Sequence, residues 1–289
     1  MGGIVSALAF PAPAKEISQA ALLARAAKQQ LVYLKTASGY QIPAIHLVKK
    51  TNSKKDNNSN YFTIIYSHGN AEDVGLSLPY LDYLSQYCDC HVFAYEYCGY
   101  SLAEGEPSEQ NCYECIQAAY DYLTNQEKVD SSKIVLVGRS LGTGPTVDLA
   151  AKLCIQKMPP AGVVLQSPLE SGGRCVLGES ASFYLYYLDI FRNYEKIHKL
   201  APIPVFIMHG LLDRVVPATN GKALLESLAK AQRAYPGDNG RERSDDHYKA
   251  VAYPPLWIPD AGHNDMPEFD CMQNIAKFLR FLNERKDAS

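Results

Sequence analysis

Short, continuous apolar runs alternate along the chain with longer amphipathic stretches. Phe62 to Tyr66, Val92 to Tyr95, Ile134 to Val137, Val163 to Leu165 and Val205 to Met208 are such runs, each bounded by polar or turn-forming residues. Runs of this kind fit strands buried on both faces. Between and after them lie segments of helical periodicity: Ser77 to Gln86, Ser108 to Thr124, Leu141 to Lys157, Asn220 to Ala229 and Pro267 to Asn283. Ser108 stands where an N-cap is needed, and Val251 to Ile258 holds one more short strand. Strand–helix alternation on this scale predicts an α/β protein with a mostly parallel central sheet flanked by helices.

The pattern differs at both margins of this core. Residues 16 to 29 are good helix formers and predict a short docking helix. Leu31 to Leu34, the turn-like Ser38-Gly39 and Ile42 to Val48 predict an edge hairpin, and the polar run Thr51 to Asn60 a surface loop. The expected division is an amino-terminal segment, 1–30, and a single domain, 31–289. Two segments interrupt the alternation. Ser180 to Ile197, rich in Tyr, Phe and Leu, suits a small lid over a pocket and equally suits ordinary core. Lys230 to Asp246 ends in a mixed-charge turn cluster and predicts an exposed insertion.

Composition narrows the function classes. Of 289 residues 47% are hydrophobic and 20% charged, and 28 Lys+Arg against 31 Asp+Glu leave a net charge of −3. A nucleic-acid partner is not expected, because no basic excess exists to meet a phosphate backbone. The eight cysteines are irregularly spaced, which in a chain of this size predicts reduced thiols and a cytoplasmic setting. Cys112 and Cys115 fall inside a predicted helix with no second pair at zinc-binding spacing, and they are read as helix residues. No stretch reaches the length and apolarity of a spanning helix. Ile4 to Phe10 is short, is broken off by Pro11 and Pro13, and lacks a positive leader, so it is a poor secretion signal. Met1-Gly2-Gly3-Ile4-Val5-Ser6 fits the pattern for myristoylation of Gly2. One such chain binds membranes only marginally. No cysteine precedes Cys88, and Lys49, Lys50, Lys54 and Lys55 lie in a polar turn region, so the expectation is peripheral contact at the cytoplasmic face of membranes.

The strongest chemical signal is Gly138-Arg139-Ser140-Leu141-Gly142, directly after an apolar strand and directly before a helical pattern. That context suits a nucleophilic serine on a strained strand-to-helix turn, where glycines two residues away on either side remove colliding side chains. A serine hydroxyl needs a base and the base an orienter. His263, in the polar loop before the last helix, is the best-placed base. His46, His91, His198 and His247 sit on strands or in charged contexts, while His68 and His209 read as packed imidazoles bracing loops. The acid is expected between serine and histidine after a late strand, which selects Asp213 over Asp189 and Asp260. Acyl transfer also needs donors for a developing oxyanion. The N–H of Leu141 is one, and that of Asn70 or Ala71, in the loop after an early strand, is the second. Phosphate-loop and dinucleotide fingerprints are absent and metal ligands do not cluster, so no cofactor and no metal are expected.

Six blocks in order resemble one known family. They are His68-Gly69-Asn70-Ala71-Glu72-Asp73, Tyr95-Glu96-Tyr97-Cys98-Gly99-Tyr100, Gly138 to Pro145, Ser167 to Gly172, Asp189 to Ile197 and Gly262-His263-Asn264-Asp265. Over residues 31 to 283 the chain is similar to the α/β-hydrolase domain-containing 17 family of protein depalmitoylases. The resemblance implies the α/β-hydrolase fold, Ser140, Asp213 and His263 as triad, and hydrolysis of S-palmitoyl thioesters on membrane-associated proteins. Members of that family look to be recruited through a cysteine-rich amino terminus that this sequence does not match. Glu96 also stands where the related pattern has Asp, and the Lys230 to Asp246 insertion is longer than the family pattern.

With S-acylated proteins as expected partners, Phe183, Tyr184, Leu185 and Tyr187 are candidates to roof an acyl groove. A carboxylesterase or lipase acting on oxyesters would use the same triad, and a binding protein on a hydrolase scaffold is the non-catalytic alternative. Intact-mass measurement of the chain expressed with an N-myristoyltransferase should show a myristoyl adduct on Gly2; an unmodified Gly2 would rule the pattern out as a signal.

Overall fold

The computed structural model describes residues 15–26, 28, 30–49, 61–175, 189–235, 248 and 251–287. The chain divides into two compact units, Met1–Val135 and Leu136–Ser289. Gly2, the Thr51 to Asn60 loop, residues 180–188 with Phe183, Tyr184, Leu185 and Tyr187, and residues 236–246 lie outside the described residues.

In the first unit the strands β1 (Leu31–Lys35), β2 (Gln41–Leu47), β3 (Thr63–Ser67) and β4 (His91–Tyr95) are ordered β1-β2-β4-β3. β1 and β2 form the expected antiparallel hairpin, with Leu31 opposite Ile45 and Lys35 opposite Gln41. β2 is antiparallel to β4, while β3 and β4 are parallel. β3 and β4 are buried at every position, which is why their sequences are unbroken apolar runs rather than alternating ones. Helix α1 (Lys15–Ala26) packs on α2 (Val74–Tyr87). Leu22 is fully buried, and Arg25 pairs with Asp82 at 3.0 Å.

Helix α2 starts at Val74, earlier than the predicted Ser77. The Asp73 side chain caps it by accepting the Leu76 N–H at 2.8 Å, and this bond offsets part of the cost of Gly75 and Pro79 within the helix. Helix α3 (Glu109–Asp121) is capped by Ser108, whose Oγ accepts the Asn111 N–H at 3.1 Å, and it runs on into a π turn over Tyr122–Gln126. Cys112 and Cys115 are buried residues of α3, and all eight cysteines are free thiols.

Strands β5 (Ile134–Arg139), β6 (Gly162–Gln166), β7 (Val205–Gly210) and β8 (Leu256–Ile258) follow in the order β5-β6-β7-β8, with β6–β7 and β7–β8 parallel. The helices are α4 (Thr143–Ile155), α5 (Ala218–Ala234) and α6 (Glu268–Asp287). Val147, Leu149, Ala150 and Leu153 bury α4. On α6, Phe278 meets the rings of Phe206 at 5.7 Å and Tyr253 at 4.8 Å.

Helix α5 continues past the predicted Ala229 because Gln232 is buried and its Nε2 donates to the Ile203 carbonyl at 3.1 Å. Residues 230–234 are therefore helix, not exposed insertion. Residues 189–197 of the candidate lid behave as core: Phe191 and Asn193 are buried, and Asn193 Nδ2 donates to the Leu169 carbonyl at 3.0 Å. The architecture is a mostly parallel sheet flanked by helices, as the alternation predicts. No helix among the described residues is long and apolar enough to cross a membrane.

One buried carboxylate organises the loops of the first unit. Glu96, fully buried, accepts the Val74 N–H at 3.0 Å and the Tyr97 N–H at 3.1 Å, and its Oε1 lies 2.8 Å from His68 Nε2. Tyr97 then donates its hydroxyl to the His68 carbonyl at 2.8 Å. Removing the carboxylate strands several buried donors, each costing about 1–3 kcal/mol. Glu96→Ala should therefore lower unfolding stability by about 3 kcal/mol or more, with Glu96→Gln costing less because the amide oxygen still accepts; urea denaturation measures both.

Candidate active site

β5 carries the chain into the site. Ile134, Val135, Leu136 and Val137 are buried, which anchors the strand so that its end can hold an unfavourable conformation. Ser140 follows with φ +51°, in the left-handed region. A 3-10 turn over Ser140–Gly142 then leads into α4. Gly138 is required by close approach: a Cβ there would come within 2.5 Å of the Thr146 hydroxyl and 2.6 Å of the Gly142 carbonyl oxygen. Thr143 locks the turn by donating its hydroxyl to the Ser140 carbonyl at 2.6 Å.

Ser140 Oγ lies 2.9 Å from His263 Nε2, and His263 Nδ1 lies 2.7 Å from Asp213 Oδ2. Residues far apart in the chain thus form one hydrogen-bonded array inside the second unit. Asp213 follows β7, and its Oδ1 accepts the N–H groups of Val215 at 2.9 Å and Val216 at 2.8 Å. Burial acts to raise its pKa, yet hydrogen bonds from His209, His263 and the Val216 N–H outweigh burial and hold the carboxyl well below the usual carboxylate range. The histidine loop is tied to the acid turn by Leu212 N–H on the Ala261 carbonyl at 2.9 Å. It is tied to the serine turn by Arg139 Nη2 on Asn264 Oδ1 at 3.2 Å.

The remaining candidates divide. Leu141 is in the 3-10 turn immediately after Ser140 and is buried. Asn70 and Ala71 belong to the first unit, where the Ala71 N–H is engaged by Asn70 Oδ1 at 3.2 Å and the same oxygen accepts the Tyr100 hydroxyl at 3.0 Å. The Asn70 side chain therefore shapes its own loop. Asp189 accepts the Gly173 N–H at 2.6 Å instead of serving His263. Sequence reasoning underrated His209, which is within 3.3 Å of Asp213 Oδ2; its spacing four residues before the acid was the available signal.

The first unit also holds a cavity of about 370 Å³ lined by His46, Tyr61, His91, Glu127 and Lys133 among others. Burial pushes the His46 imidazole down to about 4. Among the described residues no group of three or more His, Cys, Asp or Glu side chains could hold a metal ion.

The fold and the serine–histidine–aspartate array define an α/β-hydrolase. Solved structures agree on the fold: an alpha-beta hydrolase from Vibrio vulnificus superposes with TM-score 0.65 at 18% identity, covering 92% of this chain and 86% of that one. An esterase from Pyrococcus furiosus gives TM-score 0.57 at 16% identity, over 88% and 91%. No protein-family model matches the chain. Alpha/beta hydrolase domain-containing protein 17B of Homo sapiens is 33% identical over 250 residues, 86% of this chain and 74% of the relative. Protein 17C of Mus musculus is 35% identical over 226 residues, 78% of this chain and 61% of the relative. The chain belongs to the alpha/beta hydrolase domain-containing 17 family, and it spans about three-fifths of the length of the 17C relatives it matches.

The folded-state carboxyl of Asp213 ionises at lower pH than it does in the unfolded chain. Its stabilising contribution is therefore complete above about pH 4, the unfolded value, and is lost as pH falls below that toward the folded value. Asp213→Asn should flatten this acid limb of unfolding stability, seen as a smaller difference between urea midpoints at neutral and acid pH than in the parent chain.

Proposed function

We propose that this chain is a serine hydrolase that cleaves S-palmitoyl thioesters on proteins through an acyl-serine intermediate at Ser140. The single observation that carries the reading is the continuous hydrogen-bonded array from Ser140 Oγ through His263 to Asp213, and family membership supplies the substrate class. His263 Nε2 takes the hydroxyl proton as Oγ attacks the thioester carbonyl, while Asp213 fixes the imidazole tautomer. The Leu141 N–H, immediately after Ser140 in the chain, receives the oxyanion. The tetrahedral intermediate then collapses, the C–S bond breaks, and the leaving sulfur takes the proton from His263. Water, activated by the same imidazole, releases the fatty acid and restores Ser140. Phe183, Tyr184, Leu185 and Tyr187, chosen from the sequence, are the residues proposed to contact the acyl chain, and a myristoylated Gly2 brings the enzyme to the cytoplasmic face of membranes where S-acylated proteins sit.

Ser140→Ala should abolish labelling by a fluorophosphonate probe and lower palmitoyl-thioester hydrolysis by about 10³-fold or more. The parent chain should favour a palmitoyl thioester over a short-chain oxyester by at least about tenfold in kcat/KM. Equal efficiency on the two would replace the depalmitoylase reading with that of a general carboxylesterase.

A further inference from the structure

A second imidazole touches the catalytic acid. His209, on β7, is fully buried. Its Nε2 lies 2.8 Å from the Val216 carbonyl oxygen and 3.3 Å from Asp213 Oδ2. A carbonyl only accepts, so Nε2 carries a proton, and that proton is shared between the Val216 oxygen and the carboxylate. Oδ2 is also the oxygen that takes His263 Nδ1 at 2.7 Å. The other ring nitrogen, Nδ1, has no hydrogen-bond partner among the described residues. It abuts Gly221 of α5, where a Cβ would come within 2.6 Å of it. If filling space beneath the acid turn were the whole role, a leucine or phenylalanine would serve without leaving a buried nitrogen unpaired, which costs about 1–3 kcal/mol. What a hydrocarbon cannot supply is the Nε2–H directed at Oδ2.

We propose that His209 is a positioning residue for the catalytic acid, its Nε2–H holding Asp213 Oδ2 in the place from which that oxygen orients His263. The inference rests on the triad reading given above. Oδ1 is fixed by two backbone N–H groups, and Oδ2 would otherwise be fixed only by the imidazole it is meant to aim. His209 supplies an independent anchor and draws electron density from Oδ2. Without it the carboxylate is a stronger acceptor and binds the His263 imidazolium more tightly, so the base is occupied by a proton at higher pH. The other charged or titratable groups around the array are Arg214 in the acid turn, Arg139 on Asn264, Asp260 and Asp265 in the histidine loop, and Cys175, whose Sγ lies 3.1 Å from the Val215 carbonyl. None of the hydrogen bonds named for these groups is made to His209.

The test compares His209→Leu, His209→Asn and His209→Gln in the full chain, with folding checked by circular dichroism. Asn keeps a polar group near the ring Nδ1 position but no donor at Nε2, whereas Gln places an N–H where Nε2 stood. For palmitoyl-thioester hydrolysis, Leu and Asn should lower kcat by about tenfold with KM unchanged, and should move the acid limb of kcat/KM upward by about half a pH unit or more. Gln should bring the limb back. If the Leu variant fails to fold, Asn carries the same comparison. A folded Leu or Asn variant with the parent acid limb overturns the proposal, as does a Gln variant shifted as far as Leu.

Failure of the triad reading is separable. It would appear as Ser140-independent hydrolysis or absent labelling in the parent chain. The downfield proton resonance of the His263–Asp213 pair, followed in Ser140→Ala protein with and without His209→Leu, then reports the His209 contact without any turnover. An unchanged resonance and pH response overturns the proposal.

Discussion

The left-handed backbone at Ser140 is the constraint around which the second unit is arranged. A residue with a Cβ costs roughly 1–2 kcal/mol in that region, and the hydroxyl of Ser140 itself does not return it. The compensation comes from neighbours. The buried β5 anchors one side, α4 anchors the other, and Gly138 leaves room for Thr146 and the Gly142 carbonyl where a side chain would collide. The Thr143 hydroxyl closes the turn on the Ser140 carbonyl. Because strand and helix are both packed, the turn has no relaxed alternative that keeps their burial. The result is a hydroxyl held 2.9 Å from a ring nitrogen, with the N–H of Leu141 next in the chain.

Buried carboxylates impose order in both units by the same physics. Asp213 spends Oδ1 on two backbone N–H groups and Oδ2 on two imidazoles. Glu96 spends its oxygens on the Val74 and Tyr97 N–H groups and on His68. A buried carboxyl held by three or four polar partners has one favourable orientation, and so do the groups that hold it. At Asp213 the consequence is chemical, since the imidazole it orients faces the serine. At Glu96 it is structural: the carboxylate ties the end of β4 to the loop that leads into α2.

Much of this was legible in the chain. Buried parallel strands announce themselves as apolar runs, and a serine between glycines after such a run needs few long-range facts to interpret. Asp213 is legible from chain order and His263 from its polar loop before the last helix, each together with the family resemblance, and their meeting required the fold. Three features departed from the expected pattern. Helix α2 begins early because Asp73 caps it, α5 ends late because Gln232 finds the Ile203 carbonyl, and the residues from Asp189 to Ile197 are core because Asn193 finds Leu169. The Asp73 cap is a local signal of the same kind as Ser108, whereas the other two bonds reach residues distant in the chain, and neither propensity nor periodicity encodes such partners. His209 belongs with them. Its reading as a loop brace holds, through the Val216 carbonyl, but its second acceptor becomes visible only when the acid turn folds back.

A thiolate is a far better leaving group than an alkoxide, so collapse of the tetrahedral intermediate makes little demand on the enzyme when the substrate is a thioester. An array competent for oxyesters is therefore more than competent for thioesters, and the triad by itself does not choose between them. Discrimination has to arise where the acyl chain is bound, through apolar burial worth about 0.8 kcal/mol per methylene. A palmitoyl chain offers enough methylenes for that burial to dominate kcat/KM, provided the energy is realised in the transition state and not merely in the bound substrate. In the proposed function the Ser140–His263–Asp213 array of the second unit thus sets the reaction, and burial of the acyl chain sets the substrate. On that reading the two respond to different substitutions: changes at Ser140, Asp213 or His263 alter turnover for every acyl length, while changes where the acyl chain is bound alter the dependence on length.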